Sequence, residues 1–373
     1  MSTRGGQEGG SYMKKPLQVG IIGATGYVGQ RFVTLLSNHP WFEIKVVAAS
    51  GRSAGKTYQE AVEGRWKMET EIPPRVAEMT VSSTDNLEQW IESVDFVFCA
   101  VDMKKEEVRD LELRVAHLET PVISNNSAHR WTEDVPMIIP EVNPDHTALI
   151  DLQKKRLGTQ RGFIVVKPNC SIQSYVPALT PLLDFGPEQI IVATYQAISG
   201  AGKTFTDWPE MDKNLIPFIG GEEEKSEQEP LKVWGKLGNQ GIILAKEPVI
   251  SAQCYRVAVQ EGHIAALSVR FAKKPSRDEI LDRWAHYSGL PQKANLPSAP
   301  NPFLIYLSEE NRPQPVLDSM RGQGMAVTIG RLREDRIFDW KMTCLSHNTI
   351  RGAAGGAVLT AELLVHQGYL SAR

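Results

Sequence analysis

The stretch that most constrains the fold is LQVGIIGATGYVGQRFVTLL, which begins at Leu17. A β-branched apolar run ends near Ile22, and beyond the glycines the apolar side chains recur at helical spacing. This order predicts a strand, a tight turn and a helix. Further apolar runs without polar alternation, VVAAS, VDFVFCAV and TPVISN, predict strands covered on both faces. The first part of the chain therefore predicts a parallel α/β sheet.

The glycine turn predicts a dinucleotide site. Glycines in GATGYVG let the backbone approach a pyrophosphate, which the free N–H groups at the start of the helix would bind. The alternative is an ordinary tight turn between a strand and a helix. The candidate ligands in this segment are Gly23, Thr25, Gly26, Tyr27, Val28 and Gly29.

The end of the second predicted strand favours NADP as the dinucleotide. An acidic residue at this place would bind the ribose hydroxyls of NAD, whereas an arginine accommodates the 2′-phosphate of NADP. The segment VVAASGRSAGK offers Ser50, Arg52 and Ser53 and no acid. The alternative is a polar loop with an exposed arginine.

After Pro168 the pattern changes to strands that alternate more, with few helices between them. We expect an α/β protein with an N-terminal Rossmann-type dinucleotide-binding domain and a second α+β domain built on a mixed sheet. The first domain is expected over 14–167, completed by a C-terminal helix within 348–373. A catalytic and dimerisation domain is expected over 168–347. The polar, glycine-rich residues 1–13 are expected to be a disordered tail.

Composition excludes several functions. The formal net charge is −3, and acidic and basic residues are interleaved, which argues against a nucleic-acid or anionic-membrane partner. No apolar run approaches the roughly 20 residues of a membrane span, and the N-terminus lacks the apolar core of a signal peptide. We expect a cytoplasmic protein. The four cysteines show neither a disulfide framework nor metal-ligand spacing, so we expect free thiols and no metal.

Cys170, in KPNCSIQSY, differs from the other cysteines because it follows a predicted strand and begins a predicted helix. The N–H groups and dipole at a helix start would stabilise a thiolate, so Cys170 is the candidate nucleophile. The alternative is a small buried side chain. That role is expected of Cys99, Cys254 and Cys344, which lie in strand-like runs.

A thiolate nucleophile needs an acid/base partner. His263 follows a glycine at the start of an apolar strand, where its side chain can face a cleft, although an edge-strand histidine is the alternative. His129 and His347, in predicted loops, remain candidates. Four others are expected at the surface: His39, His117, His146 and His366.

Seven motifs in order from about Leu17 to the C-terminus carry a family resemblance: GATGYVG, SNNSAHR, PNCS, YQAISGAGK, IPFIGGEEEK, YRVAVQEGH and HNTIRGAAGGAV. Together they resemble the aspartate-β-semialdehyde dehydrogenases of archaea and fungi. The resemblance implies reduction of L-aspartyl-4-phosphate by NADPH to L-aspartate 4-semialdehyde and phosphate, on the route to threonine, methionine and isoleucine. It also implies a small-molecule substrate and a homodimer or homotetramer. The N-acetyl-γ-glutamyl-phosphate reductases are a more distant resemblance.

The resemblance implies a role for individual residues. Cys170 would form a thioester with the acyl group, His263 would be the acid/base, and Gln196 would orient the acyl-enzyme. Ser199, Gly200 and Gly202 would form a loop near the nicotinamide, and Asn348 would bond its carboxamide. The remaining residues would bind substrate: Asn169, Arg130, Glu222, Lys225 and Arg256.

Within that set, Arg256 would bind the α-carboxylate and Glu222 the amino group. Lys225 and Arg130 would bind the phosphate. Choosing Glu222 among three adjacent glutamates rests on its offset of three from Lys225. Arg256 lies seven positions before His263, which predicts a bend or bulge near Gly262 if the two converge from one strand.

Two other classes remain as alternatives. A nucleotide-sensing regulator would keep the dinucleotide site, but it has no use for a nucleophile with its base. A phosphorylating dehydrogenase of the glyceraldehyde-3-phosphate type would share the thioester chemistry, but its SCTTN-like context is absent from this sequence.

Overall fold

A computed structural model of the chain describes residues 15–373. The predicted tail, 1–13, and residue 14 of the predicted first domain lie outside the described residues. The first sheet is parallel throughout, with the strand order β3-β2-β1-β4-β5-β6 of a Rossmann fold. Its strands are β1 (Leu17–Ile22), β2 (Phe42–Ala49), β3 (Ser82–Ser83), β4 (Phe96–Cys99), β5 (Val122–Ser124) and β6 (Ile164–Val166).

The second sheet is mixed, with the order β13-β14-β15-β12-β7-β11-β8. Its strands are β7 (Pro187–Gln196), β8 (Leu215–Ile216), β11 (Val249–Val257), β12 (His263–Phe271), β13 (Leu304–Leu307), β14 (Val327–Glu334) and β15 (Trp340–Ser346). A separate hairpin joins β9 (Lys236–Leu237) to β10 (Ile242–Ile243). Strand β7 runs parallel to β11 and antiparallel to β12, which confirms the predicted mixed sheet.

Helices cover the sheets and connect their strands. They are α1 (Tyr27–Leu36), α2 (Tyr58–Ala61), α3 (Pro74–Ala77), α4 (Lys105–His117), α5 (Leu149–Leu157), α6 (Val176–Leu179), α7 (Glu222–Val233), α8 (Arg277–His286), α9 (Leu290–Lys293), α10 (Pro315–Asp318) and α11 (Gly355–His366). Within residues 15–373, no helix has both the length and the apolar character to span a bilayer.

The C-terminal segment returns to the first sheet. A π-helix, Ile350–Ala354, leads directly into α11, and the whole segment from Gly355 to Leu364 is buried. Its apolar side chains share one core with those of α1 and of the first sheet. A helix that is apolar on all sides is typical of a fully enclosed position.

A buried ion pair fixes the π-helix. The Arg351 guanidinium donates to both carboxylate oxygens of Glu141, at 2.6 and 2.9 Å, and both side chains are fully buried. Its Nε donates to the carbonyl of Met325, and the ring of Phe303 lies 4.8 Å from the guanidinium carbon. Because a buried guanidinium needs all these partners, they fix the path of the chain before α11.

Candidate active site

A cavity of about 200 Å³ lies where the two sheets meet. Ten of the residues singled out from the sequence line it: Val28, Arg130, Asn169, Cys170, Gln196, Ser199, Gly200, Glu222, Arg256 and Asn348. Four lining residues were not predicted: Asn125, Thr349, Gly352 and Ala353. The cavity joins the loop after β6, the ends of β7 and β11, and the start of the π-helix.

Cys170 lies just beyond β6 and opens into this cavity. It is half-buried, whereas the other three cysteines are buried, and all four thiols are free. The helix predicted to begin at Cys170 is interrupted: a 3-10 turn, Ser171–Ser174, comes first, and the single α-helical turn of α6 follows. Burial, with a smaller contribution from the Glu222 carboxylate, raises the pKa of the Cys170 thiol to about 11, although the Arg256 charge opposes both effects. The resting thiol is therefore protonated.

His263, the first residue of β12, contacts the cysteine directly. Its Nε2 lies 3.4 Å from Cys170 Sγ, and its Nδ1 accepts a hydrogen bond of 3.1 Å from the backbone N–H of Ala197. An accepting Nδ1 places the ring hydrogen on Nε2, towards the sulfur. Burial lowers the pKa of His263 well below its ordinary value, and the Arg256 charge acts in the same direction. The imidazole is therefore neutral.

Arg256 and His263 lie on two different strands, so no bulge within one strand brings them together, but the predicted bend near Gly262 is present: the chain turns between β11 and β12, and Gly262 has φ +98°. Strand β7 lies between β11, which carries Arg256, and β12, which begins at His263. The Arg256 guanidinium donates to the carbonyl of Ala197 at 2.6 Å, so one residue binds both side chains through its backbone. A Cβ on Gly200 would lie 2.8 Å from the guanidinium and 3.1 Å from the imidazole, so this position must stay small.

Glu222 lines the cavity and accepts hydrogen bonds from three neighbouring side chains. Its carboxylate accepts hydrogen bonds from the side-chain amides of Asn169, at 2.9 Å, and Gln196, at 3.2 Å, and from Lys225 Nζ, at 2.9 Å. The next glutamate, Glu223, instead accepts from the backbone of β11. The offset of three from Lys225 thus selects the glutamate that lines the cavity.

Arg130 lines the cavity but already has partners of its own. Its Nη1 donates to Glu229 at 2.9 Å, and its Nε donates to the Lys167 carbonyl at 2.9 Å. Glu229 also accepts the backbone N–H of Asn169, one residue before the cysteine. The pair therefore ties α7 to the loop that carries Cys170.

The other histidines lie outside this pair. His129 bonds Thr132 and the Arg109 carbonyl, and His347 accepts from the backbone of Ile350. The expectation of a surface position is wrong for two of the four histidines. The His39 side chain is 5% exposed and bonds Glu362 at 2.8 Å, and His146 is buried between Asn143 and the Gly235 carbonyl. Its ring therefore holds the segment that contains Asn143 against the segment that contains Gly235.

The glycine turn forms an open cradle at the start of α1. Gly23 has φ +86°, and a Cβ on it would overlap the Ala100 carbonyl; a Cβ on Gly29 would overlap the carbonyl of Gly23. Gly26 is open by comparison and begins α1 with no side-chain cap in the part of the chain that the structure describes. Free N–H groups at a helix start suit a pyrophosphate, so the turn fits the predicted dinucleotide.

Ser50 and Arg52 are exposed just after β2, at the same edge of the sheet as the glycine turn, whereas Ser53 is buried.

Tyr27, the first residue of α1, donates to Glu261 at 2.7 Å. Gly202 faces Tyr27: a Cβ on Gly202 would lie 3.8 Å from the Cβ of the tyrosine.

Glu261 joins the two domains and was missed by the sequence reasoning. Besides Tyr27, its carboxylate accepts from Arg31 of α1, at 3.2 Å, and from Ser199, at 2.7 Å. Ser199 in turn accepts from Asn348, whose side-chain oxygen accepts the Gly262 N–H at 2.7 Å. This closed ring ties the cofactor turn to the loop that positions His263. An acid two residues before a candidate histidine was the only sequence signal for it.

A glycine turn that suits a dinucleotide, next to a cysteine–histidine pair, is typical of one class of protein. That class is the nucleotide-dependent oxidoreductases with a thiol nucleophile. Residues 18–150 match the family model for the semialdehyde dehydrogenase NAD binding domain, and residues 179–351 match the one for the semialdehyde dehydrogenase dimerisation domain.

Aspartate-semialdehyde dehydrogenases are similar to this chain over nearly its full length. That of Methanothermobacter thermautotrophicus is 42% identical over 93% of this chain and 99% of its own. That of Schizosaccharomyces pombe is 42% identical over 95% of this chain and 99% of its own. The crystal structure of the Candida albicans enzyme with NADP has a TM-score of 0.85 at 36% identity and covers 95% of this chain and all of that one. The chain belongs to the aspartate-semialdehyde dehydrogenase family.

The state of His263 yields the first prediction. Nitrogen-15 spectra of the histidine rings should show His263 neutral, with its hydrogen on Nε2, from about pH 8 down to about pH 5, where an ordinary histidine becomes charged. Because the folded-state pKa is lowered, the unfolded chain takes up the proton first, so the free energy of unfolding should fall below about pH 6.5. His263→Asn assigns the signal. An imidazolium at neutral pH would contradict the geometry.

Proposed function

We propose that this chain is an aspartate-semialdehyde dehydrogenase that converts L-aspartyl-4-phosphate and NADPH to L-aspartate 4-semialdehyde, phosphate and NADP⁺. The observation that carries the proposal is the 3.4 Å contact between Cys170 Sγ and His263 Nε2, in a cavity that borders the dinucleotide cradle. Membership of the family supplies the substrate class.

Cys170 forms the covalent link. Its sulfur attacks the acyl carbon, a carbon–sulfur bond forms, and the bond to the phosphate oxygen breaks. The thioester can be reduced where a carboxylate could not. NADPH, when bound, supplies the hydride for that reduction. The carbon–sulfur bond then breaks to release the aldehyde.

His263 acts on the oxygen of the reacting carbon. Its Nε2–H lies beside the sulfur, so it can donate to the oxyanion that develops on the carbon bonded to that sulfur. The Ala197 N–H holds the ring in this orientation throughout. Gln196, the last residue of β7, lines the same cavity and orients the acyl group.

The substrate is bound by opposite charges across the cavity. Arg256 binds the α-carboxylate, and Glu222 binds the amino group with support from Asn169. Because Lys225 is paired with Glu222 in the resting site, the arriving ammonium releases it towards the phosphate. Arg130, held by Glu229, is the second phosphate cation.

NADP binds along the first sheet. The turn Gly23–Gly29 holds the pyrophosphate on the start of α1, and Arg52 with Ser50 and Ser53 holds the 2′-phosphate. Asn348 bonds the carboxamide, beside the loop that contains Ser199, Gly200 and Gly202. Residues 14–167 with 348–373 then form the cofactor domain, and 168–347 form the catalytic domain.

The proposed oligomer is a homodimer, alone or as half of a homotetramer. One face of the mixed sheet carries exposed apolar side chains on adjacent strands: Ile191 and Tyr195 on β7 and Val249 on β11. A contiguous apolar sheet face favours burial against a second copy.

A cytoplasmic location is proposed as well, because four free thiols suit a reducing compartment.

The direct test of function is the reverse reaction. L-aspartate 4-semialdehyde, phosphate and NADP⁺ should give NADPH, and Cys170→Ser should lower the rate by about 10⁴-fold or more, because a hydroxyl is a poorer nucleophile and leaving group. Cys254→Ser, a change at a buried cysteine of β11, is the matched control and should keep most activity. Preference for glyceraldehyde 3-phosphate or N-acetyl-glutamate semialdehyde would overturn the substrate, and an active Cys170→Ser enzyme would overturn the mechanism.

Cofactor choice gives a separate prediction. Arg52→Ala should remove one charge-assisted contact with the 2′-phosphate and raise KM for NADP⁺, while KM for NAD⁺ stays nearly unchanged. A contact of about 1.5–3 kcal/mol corresponds to a loss of about ten- to a hundredfold in the preference ratio. Equal losses with both cofactors would mean that Arg52 supports the loop instead. Lys56→Ala, also exposed in this loop, is the control.

A further inference from the structure

Glu261 accepts hydrogen bonds from four side chains. Its Oε1 accepts from Tyr27, at 2.7 Å, and from Arg31, at 3.2 Å, both on α1. Its Oε2 accepts from Ser199, at 2.7 Å, and from Thr349, at 3.3 Å. An ionised carboxylate suits this place because it has two acceptor oxygens and no donor. The reaction proposed above nevertheless gives this carboxylate no role.

Beyond Ser199 the hydrogen bonds continue in one direction. A hydroxyl has a single hydrogen, and Ser199 donates it to Glu261, so its oxygen can only accept from the next group. That group is the side-chain nitrogen of Asn348, at 2.7 Å. The Asn348 oxygen accepts in turn from the N–H of Gly262, at 2.7 Å, one residue before His263. Donors and acceptors are therefore matched at every step from the carboxylate to the backbone that leads into β12.

These bonds leave one hydrogen of Asn348 free. Asn348 is 2% exposed, yet it lines the cavity beside Cys170. Its side-chain nitrogen carries two hydrogens, and Ser199 accepts one of them. Within residues 15–373, no other group accepts from this nitrogen. Because an unpaired buried N–H is costly, a ligand that brings an acceptor is favoured there. The nicotinamide carboxamide, whose oxygen is such an acceptor, is the proposed ligand.

Glutamine could not take the place of Glu261. It has one acceptor oxygen and an NH₂ group, so two of the four donors would face another donor. Arg31 is a cation without an acceptor and would keep the oxygen, so the NH₂ group would face Ser199. The Ser199 hydrogen would then turn towards the NH₂ group of Asn348, and a reversed Asn348 amide would oppose the Gly262 N–H. A change at the carboxylate thus reaches the cavity.

We propose that Glu261 is a positioning residue for the reaction: acting through Ser199, it orients Asn348 so that the free N–H donates to the nicotinamide carboxamide. The same bonds hold Gly262 and therefore the turn that leads to His263. Glu261 itself neither gains nor loses a proton in this role. The inference rests on the proposed function, which supplies the ligand of Asn348, but binding of the cofactor tests it without turnover.

The test compares two ligands, NADP⁺ and 2′-phospho-ADP-ribose, which is NADP⁺ without its nicotinamide. Their dissociation constants would be measured by titration calorimetry for the unaltered chain and for Glu261→Gln. A lost bond that leaves a buried donor unpaired corresponds to about ten- to a hundredfold in affinity. Glu261→Gln should therefore weaken NADP⁺ by that factor and leave 2′-phospho-ADP-ribose nearly unchanged. Equal weakening of both ligands, or of neither, would overturn the proposal.

A second variant predicts recovery. When Arg31→Met is added to Glu261→Gln, the glutamine oxygen is free to accept from Ser199, so most of the lost preference for NADP⁺ over 2′-phospho-ADP-ribose should return. Both ligands carry the pyrophosphate, so their ratio cancels any effect of the lost charge on α1. If Glu261 only held the domains together, the double variant would be worse than either single variant, and that result would overturn the proposal.

Glu119→Gln is the matched control. Glu119 accepts from three backbone N–H groups, those of Gln160, Arg161 and Gly162, at the opposite edge of the first sheet. Its change should lower the melting temperature without altering the ratio of the two dissociation constants. If the ratio moves as far as it does in Glu261→Gln, general loosening explains both, and the proposal fails.

A spectrum of the unaltered chain covers the case in which Glu261→Gln does not fold. In nitrogen-15-labelled protein, one hydrogen of the Asn348 side chain should exchange slowly with water because Ser199 accepts it. The other should shift with NADP⁺ but not with 2′-phospho-ADP-ribose. If neither hydrogen responds to NADP⁺, the proposal fails. A chain that binds NADP⁺ in this way but does not turn over aspartate semialdehyde would overturn the substrate and leave the role of Glu261 standing.

Discussion

The proposed catalytic geometry depends on the backbone of Ala197, the residue just beyond β7. Its N–H fixes the His263 ring and its carbonyl accepts from the Arg256 guanidinium, so the proposed acid/base group and the proposed carboxylate-binding group share one anchor. The register of the mixed sheet sets this arrangement, because Ile264 pairs with Tyr195 and Arg256 pairs with Gln196. Both bonds come from the backbone, so among the twenty residue types only proline, which lacks the N–H, would remove the bond to His263.

A second constraint is the balance of positive and negative charges around the small cavity beside Cys170. Around Cys170, one carboxylate that raises the thiol pKa faces cations that lower it. The resting site thus keeps the thiol protonated and safe from oxidation, and substrate charges alter the balance on arrival. The negative charge of Glu222 raises the pKa of the Cys170 thiol. If the substrate ammonium binds Glu222, it neutralises that charge and so favours the thiolate.

Local sequence signals predicted local features well. The β1–turn–α1 unit has its signature within about 20 adjacent residues, and Cys170 lies just beyond β6, as expected of a residue that follows a predicted strand. Features that depend on contacts distant in sequence could not be predicted in this way. The convergence of Arg256 and His263 needs β7 between their strands, and the exposed surface expected for His146 ignored the loop of Gly235 that covers it. Gly352 lines the cavity only because the C-terminal segment packs against the loop that carries Cys170.

The thioester on Cys170 is the central claim, and trapping it is the most direct test. The enzyme would be mixed with L-aspartate 4-semialdehyde and NADP⁺ in the absence of phosphate, quenched in acid, and analysed by intact-mass and peptide mass spectrometry. The account predicts a mass gain of one aspartyl group on the peptide that contains Cys170, lost when phosphate is added before the quench. An adduct on Cys99, Cys254 or Cys344, or turnover without any covalent adduct on Cys170, would contradict it.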